Sequence, residues 1–347
     1  MKNNNKENFK KSFRNKSILI TCGTGSFGNA FISYLLKISS PKKIIIYSRD
    51  EFKQFQMKQN FPKNKLKSLR FFLGDVREKE RLEIASKNVD IIIHAAALKQ
   101  INTAEYNPWE FIKTNIMGAQ NVIDCAIKNN IERVVALSTD KAADPISLYG
   151  ATKFTSDKLF VAANNITGKN RTIFSVIRYG NVASSRGSVI PLFKSLIKED
   201  IKYLPITDKR MTRFFISLDE STKFVVKCLS IMKGGEVFVP KIPSIKITDL
   251  AQCLAPNKKL KVIGIRPGEK LHEVMCPQNS SSQTIEFKDF FIIIPSIIFL
   301  DRKKINYFVY NKNTKGKKVP ENFEYSSDKN KFFLKGKKLK DKLNQSF

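Results

Sequence analysis

Histidine, cysteine and tryptophan are scarce in this sequence: two, five and one among 347 residues. The cysteines stand at 22, 125, 228, 253 and 276 with no C-x-x-C pair. Together with so little histidine, this argues against a zinc centre and against a disulfide framework, and it fits a reducing cytoplasm. Long apolar runs are lacking too. The longest, Phe290 to Leu300, is interrupted by Pro295 and is too short to cross a bilayer. It reads as buried strand, and no membrane partner is expected. The run Ser17 to Cys22, behind a basic N-terminus, is too short for a signal-peptide core. Acidic residues are in deficit, 31 against 62 Lys and Arg, for a formal charge of +31. An excess of that size invites a nucleic-acid or membrane-surface reading. The lysines, however, are spread along the whole chain and come with abundant Asn, Ile and Phe, the pattern of a compositional bias in the coding sequence. Neither an RNA-binding aromatic signature nor a Cys/His finger accompanies them, so no specific nucleic-acid partner is expected.

What is present is enough apolar residue, 42%, to bury a large core. Ser17–Thr21 is a short β-type run that enters Cys22, Gly23, Thr24, Gly25, Ser26, Phe27 and Gly28, and then an amphipathic helix. Strand, glycine turn and helix together make a phosphate-binding hypothesis: glycines admit a pyrophosphate to the backbone, and the helix start offers N–H groups and a positive dipole end. The second strand, Lys43 to Tyr47, ends in Ser48, Arg49 and Asp50, with Lys53 one turn on. This is where a ribose-reading group is expected. An acidic residue suits the free 2′-hydroxyl of NAD, whereas Ser48 and Arg49 suit the 2′-phosphate of NADP, and the arginine favours NADP. The bland reading is a charged turn with Asp50 capping the helix that starts at Glu51. Further strands follow: Leu69 to Leu73, ending at Asp75 and Val76, with Asp75 placed to hold an adenine amino group; Asp90 to His94, ending at the small residues Ala95 and Ala96; then Val134 to Leu137 and Thr172 to Arg178. A helical region, Glu105 to Asn129, lies between. Alternating strands and helices predict an α/β fold, a Rossmann-type doubly wound parallel sheet with ligands at the carboxyl ends of its strands.

The densest chemistry lies in Ser138–Lys153, STDKAADPISLYGATK. Tyr149 and Lys153 are four apart and share a helix face. A lysine beside a phenol is expected to lower its pKa from about 10, poising it to take a proton from a sugar hydroxyl. Asp140 and Lys141 offer an adjacent acid and base, or a plain ion pair; opposed duties require pKa values pushed apart by environment. Later in the chain, Arg186, Arg213 and Arg266 either converge on a diphosphate or are surface charge.

Read in order, the glycine turn, SRDE (48–51), HAAALK (94–99), AEYNP (104–108), STDKAADPISLYGATK, RYGNV (178–182), PITDKRMTRF (205–214), VPKIPS (239–244) and IRPGEKLHE (265–273) resemble the soluble, inverting UDP-N-acetylglucosamine 4,6-dehydratases of the extended short-chain dehydrogenase/reductase family. The resemblance covers roughly residues 17–300. It implies an NADP-dependent lyase in which Tyr149 and Lys153 serve oxidation at carbon 4. Lys141 is then the base at carbon 5, and Asp140, helped by Thr139, the acid that protonates the leaving hydroxyl at carbon 6. It implies further that Leu137 and Ser138 line the cofactor site and that Lys99, Asn181, Met211, Arg213, Arg266 and Glu269 bind substrate. The expected layout is a basic flexible tail at 1–16 and an NADP-binding Rossmann domain at 17–182, to which 216–240 returns. A smaller C-terminal substrate-binding lobe follows from 183–215 and 241–300, with a Lys-rich segment at 301–347. Homo-oligomers built from dimers, with hexamers as one form, are the implied assembly. Membrane-anchored relatives usually lack the tyrosine, which is present here. Departures are Cys22 in place of the family's first glycine, and Gln100 and Asn102 after Lys99. A nucleotide-sugar 4-epimerase of the same fold is the alternative; it has no use for the Asp140–Lys141 pair.

Overall fold

The computed structural model describes residues 11–168, 172–183, 188–297, 305–311 and 314–345. Its centre is a sheet built from near-continuous apolar runs: β1 (Ser17–Thr21), β2 (Lys43–Ser48), β3 (Leu69–Leu73), β4 (Ile91–His94), β5 (Arg133–Thr139) and β6 (Ile173–Tyr179). These strands pair in parallel in the order 3-2-1-4-5-6. Strands such as Ile18–Ile20 and Ile91–Ile93 are buried throughout, as expected for a parallel sheet covered on both faces. Helices α1 (Ser26–Ile38), α2 (Glu51–Asn60), α3 (Gly118–Lys128), α4 (Leu148–Ala163) and α5 (Leu218–Ile231) do the covering. Beyond β6 the sheet continues with Val237–Pro240, again parallel, and then antiparallel with Phe290–Ile293, Thr284–Glu286 and Lys317–Lys318, ten strands among the described residues. The apolar run that begins at Phe290 is thus buried strand as far as Ile293; its last positions, 298–300, lie outside the described residues.

A second apolar cluster gathers Ile190, Phe193, Leu204, Ile206, Met211, Phe215 and Leu250 in a smaller lobe over the carboxyl ends of the strands. Two expectations need correction. Within the 1–16 tail, Phe13 is fully buried in the main core and Lys16 pairs with Glu132 and Asp90, so the chain is tied down from at least Phe13; residues 1–10 lie outside the described residues. The helical region 105–129 is broken into Ile101–Tyr106, Pro108–Phe111, a π-helical turn Ile112–Met117 and α3. Pro108 can start a helix but not continue one. The Lys-rich C-terminal segment is woven into both lobes. Lys317–Lys318 edges the large sheet, Tyr325–Ser326 pairs with Val274–Cys276, and helix Gly336–Asn344 packs Leu339 and Leu343 into the small-lobe core.

Candidate active site

The site is assembled at the carboxyl ends of β1, β2, β4 and β5. After β1 the chain turns through Cys22 to Gly25 and enters α1, whose first turn has no side-chain cap, leaving its amides available to an anion. Gly28 is required by close packing: a Cβ there would stand 2.1 Å from the Gly23 carbonyl oxygen. Cys22, standing where a glycine was expected, has a φ of 53°, the left-handed region that strains any side chain with a Cβ. Its carbonyl still accepts from the Gly25 amide at 2.9 Å, so the turn is closed with cysteine in place. Thr21 Oγ1 accepts from the amides of Ala95 and Ala96 and meets His94 Nδ1 at 3.0 Å, fixing the end of β4 against the turn.

At the β2 end, Ser48 Oγ lies 2.9 Å from Thr24 Oγ1. Asp50 caps α2 by accepting from the Lys53 amide at 2.9 Å, and Lys53 Nζ bonds its other oxygen. The acidic residue is therefore committed to its own helix, while Arg49, more than half exposed, lies along Asp75 at 3.3 Å. Asp75 is engaged chiefly by Arg77, through both side chain and amide. Burial opposes ionisation of this carboxyl, but the Arg77 hydrogen bonds hold it below the usual range.

The other end of the site is the β5–α4 connection. Ser147 caps α4, which brings Tyr149 and Lys153 beneath the end of β5. Lys153 is buried and donates to the Leu137 carbonyl at 2.9 Å. Asn115, in the π-helical turn, holds both the amide and the carbonyl of Leu98 and donates to Thr152. Asp140 is fully buried; its Oδ1 accepts from Thr139 Oγ1 at 2.9 Å and from Lys141 Nζ at 3.1 Å, while Oδ2 is buried without a partner. Burial, then the charge of Glu273, pushes the Asp140 carboxyl up, which suits an acid. One sequence-based expectation about proton affinity fails here. Burial pushes the Tyr149 phenol up to about 12, and the cation that opposes this is Lys141, not Lys153. Lys141 is not pushed opposite to Asp140: desolvation lowers its proton affinity, but Asp140 and Glu273 together raise it above the ordinary lysine value.

Three cavities run together along these ends. One of about 270 Å³ is lined by Thr24, Gly25, Ser48, Arg49, Asp50, Lys53, Asp75, Val76 and Ala96. It shares Cys22, Gly25 and Ala97 with a cavity of about 440 Å³ lined by Ser26, Phe27, Gly28, Ala95, Lys99, Leu137, Ser138, Thr139, Asp140, Lys141, Tyr149, Lys153 and Asn181. Lys141 and Asn181 also line a pocket of about 80 Å³ with Arg213, Glu269, Lys270 and Glu273. Two expected substrate residues are not brought there. Met211 is buried in the small-lobe core, accepting from Thr207 Oγ1 through its sulfur. Arg266 is exposed on the loop before Gly268 and lines none of the three cavities. Arg186 lies outside the described residues. Glu273 was missed: it is 1% exposed and stands 3.1 Å from Lys141 Nζ, 132 positions away in sequence. The only hint was its spacing of four from Glu269 in EKLHE. Among the described residues no group of His, Cys, Asp and Glu is placed to hold a metal ion, and no helix is long and apolar enough to cross a membrane.

Residues 18–295 match the polysaccharide biosynthesis protein family. A curated UDP-N-acetylglucosamine 4,6-dehydratase (inverting) from Campylobacter jejuni is 55% identical over 96% of this chain and 99% of its own. A UDP-glucose 4-epimerase from Rickettsia canadensis is 41% identical over 86% of this chain and 87% of its own. Among solved structures, Pen from Bacillus thuringiensis superposes with a TM-score of 0.84 at 35% identity, covering 96% of this chain and 99% of that one. The dTDP-glucose 4,6-dehydratase DesIV from Streptomyces venezuelae, solved with NAD, shares the fold at a TM-score of 0.65 and 22% identity, over 74% and 86% of the two chains. With the glycine turn, the Tyr149–Lys153 helix and the Asp140–Lys141 pair now placed around one cleft, the chain belongs to the polysaccharide biosynthesis protein family and, within it, to the inverting UDP-N-acetylglucosamine 4,6-dehydratases.

Proposed function

We propose that this protein removes water from carbons 4 and 6 of UDP-N-acetylglucosamine with inversion at carbon 5, giving UDP-2-acetamido-2,6-dideoxy-L-arabino-hex-4-ulose. The observation that carries this is the juxtaposition of Asp140, Lys141 and Tyr149 on the wall of one cavity that continues into the glycine cradle. The cradle fits a nicotinamide dinucleotide, because Gly28 leaves the backbone close to the turn where any Cβ would collide. When bound, such a cofactor supplies the hydride acceptor for carbon 4 and the donor for carbon 6. Ser48 and Arg49 favour NADP, since Asp50 is spent on capping α2. Tyr149 takes the proton of the carbon 4 hydroxyl, its phenolate favoured by the charge of Lys141. Lys141 takes the carbon 5 proton, acidified by the neighbouring ketone. Asp140, whose carboxyl is pushed up by burial and by the charge of Glu273, gives its proton to the carbon 6 hydroxyl, which leaves as water. Lys99, Asn181, Arg213 and Glu269 contact the nucleotide sugar. A homo-oligomer built from dimers, in the cytoplasm, feeding pseudaminic acid or related surface sugars, completes the reading.

The 4-epimerase alternative needs the tyrosine step but leaves the buried acid beside Lys141 without a task. Incubation of the pure protein with UDP-N-acetylglucosamine in deuterated water, read by NMR, separates the two. The expected product has lost water, is inverted at carbon 5 and carries one solvent deuterium there. A 4-epimer with no loss of water refutes the dehydratase reading.

A further inference from the structure

The base assigned above starts in the wrong protonation state. Lys141 Nζ lies 3.1 Å from Asp140 Oδ1 and 3.1 Å from Glu273 Oε1, a geometry that holds an ammonium, and an ammonium cannot take the carbon 5 proton. Something must discharge it. Asp140 is unsuited, because it must keep its own proton for the carbon 6 hydroxyl and its Oδ1 already accepts from Thr139 and Lys141.

We infer that Glu273 is the proton acceptor that discharges Lys141, a positioning residue acting through the base and not on the sugar. This rests on the reading of Lys141 as the carbon 5 base. Glu273 is 1% exposed and its Oε2 is buried without a partner, so it has unused acceptor capacity inside the protein. Its backbone is clamped: the amide accepts no freedom of movement while it donates to Ser327 Oγ at 2.9 Å and its carbonyl takes the Ser327 amide at 2.7 Å. The carboxylate therefore stays at Lys141. The titratable and charged groups that face the pair are Asp140 from the end of β5, Tyr149 from α4, Lys270 from the 268–273 loop, Lys99 from the segment after β4, and Arg213 from strand Thr212–Ile216. Arg213 Nε stands 3.7 Å from Glu273 Oε1 and its Nη2 3.2 Å from Glu269. Burial opposes ionisation of Glu273, but the charge of Lys141 and then that of Arg213 hold its carboxyl below the usual range at rest. An anionic nucleotide sugar seated against Arg213 offsets its charge, and expulsion of water disfavours the ion pair relative to a neutral amine and carboxylic acid.

The proton balance closes. One proton moves from Lys141 Nζ to Glu273 Oε1, and the ion pair becomes amine and acid. The amine takes the carbon 5 proton while Asp140 gives its own to the departing hydroxyl. Lys141 then passes the acquired proton to Asp140 Oδ1, and Glu273 returns its proton to Nζ. Tyr149 gives the carbon 4 hydroxyl proton to solvent, and solvent supplies the new proton at carbon 5.

The test is Glu273→Gln, which keeps shape and hydrogen bonding but cannot accept the proton, assayed with NADP and UDP-N-acetylglucosamine in deuterated water. Formation of reduced cofactor in the first turnover should be retained. Carbon 5 exchange should fall by about 10²–10⁴ at neutral pH. It should then climb between about pH 7 and 10 as hydroxide discharges Lys141, where the wild type is flat. Glu273→Asp should recover part of the neutral-pH rate. A variant with the wild-type rate and profile overturns the inference, and so does a loss that is equal at every pH, which marks a prop for Lys141 only. If Glu273→Gln does not fold, Tyr149→Phe protein decides. Binding UDP-N-acetylglucosamine to it should add a protonated-carboxyl stretch to the infrared difference spectrum, and absence of that band overturns the inference. Lys141→Met separates the two levels: normal carbon 5 exchange in that variant sinks the base assignment itself, whereas lost exchange there with an unaltered Glu273→Gln sinks only the role of Glu273.

Discussion

Tyr149 shows how burial changes what a residue motif means. In sequence, a lysine four positions on promises an acidic phenol; in the fold, Lys153 is spent on the Leu137 carbonyl and burial raises the phenol to about 12. The lowering influence comes from Lys141, so the proton affinity of the Tyr149 phenol depends on the charge of Lys141. The two half-reactions should still be separable by mutation. Tyr149→Phe should give no reduced cofactor on mixing with substrate. Lys141→Met should bind both ligands, since the glycine turn and Arg213 are untouched, yet lose carbon 5 exchange with solvent by about 10²–10⁴. Stopped-flow absorbance with deuterium NMR reads both, and dehydration at the normal rate in Lys141→Met would remove that residue from the mechanism.

Among the elements, those carrying the glycine turn were legible because their signals are local. Strand β1, the glycine turn and α1 follow from Ser17–Gly28 alone, and β2 announces its end by Ser48-Arg49-Asp50. What the local sequence left open was how the ends divide their labour. The structure gives Asp50 to the N-terminus of α2 and leaves Arg49 facing the cavity beside Asp75. Arg49→Ala should therefore weaken NADP far more than NAD, by about 1.5–3 kcal/mol for a lost charge-assisted contact. Titration with each dinucleotide checks this, and equal losses for both would refute the NADP preference. Gly28→Ala should abolish binding of either, because a Cβ 2.1 Å from the Gly23 carbonyl forces α1 away from the turn. Non-local pairings were not legible. Nothing in EKLHE says that Glu273 meets Lys141, because the partners come from connecting segments far apart in sequence that only the folded chain brings together. The same holds for Met211 and Arg266, whose motif positions match but whose side chains face the lobe core and the surface.

At the scale of the whole molecule, the Lys-rich C-terminus is where composition misleads most. Its strands are two or three residues long and its helix, Gly336–Asn344, carries its apolar side on Leu339 and Leu343, too sparse a pattern to stand out among lysines. In the fold this segment ties the two lobes together. Ser327 clamps Glu273, Tyr325 exchanges hydrogen bonds with Ile242, and Lys342 pairs with Glu220 in the first turn of α5. Leu339 is fully buried against the small-lobe core. A dispensable tail would tolerate its truncation, but a core residue of this kind costs about 2–5 kcal/mol when cut to alanine. Leu339→Ala should therefore lower the unfolding free energy by that amount, seen as a lower midpoint of chemical denaturation, while leaving dinucleotide affinity unchanged, because the cradle is built from Ser17–Gly28 and the ends of β2 and β4. Denaturant titration and cofactor binding on the same preparation read the two effects. Unchanged stability would mean that the terminal helix is not part of the cooperative fold.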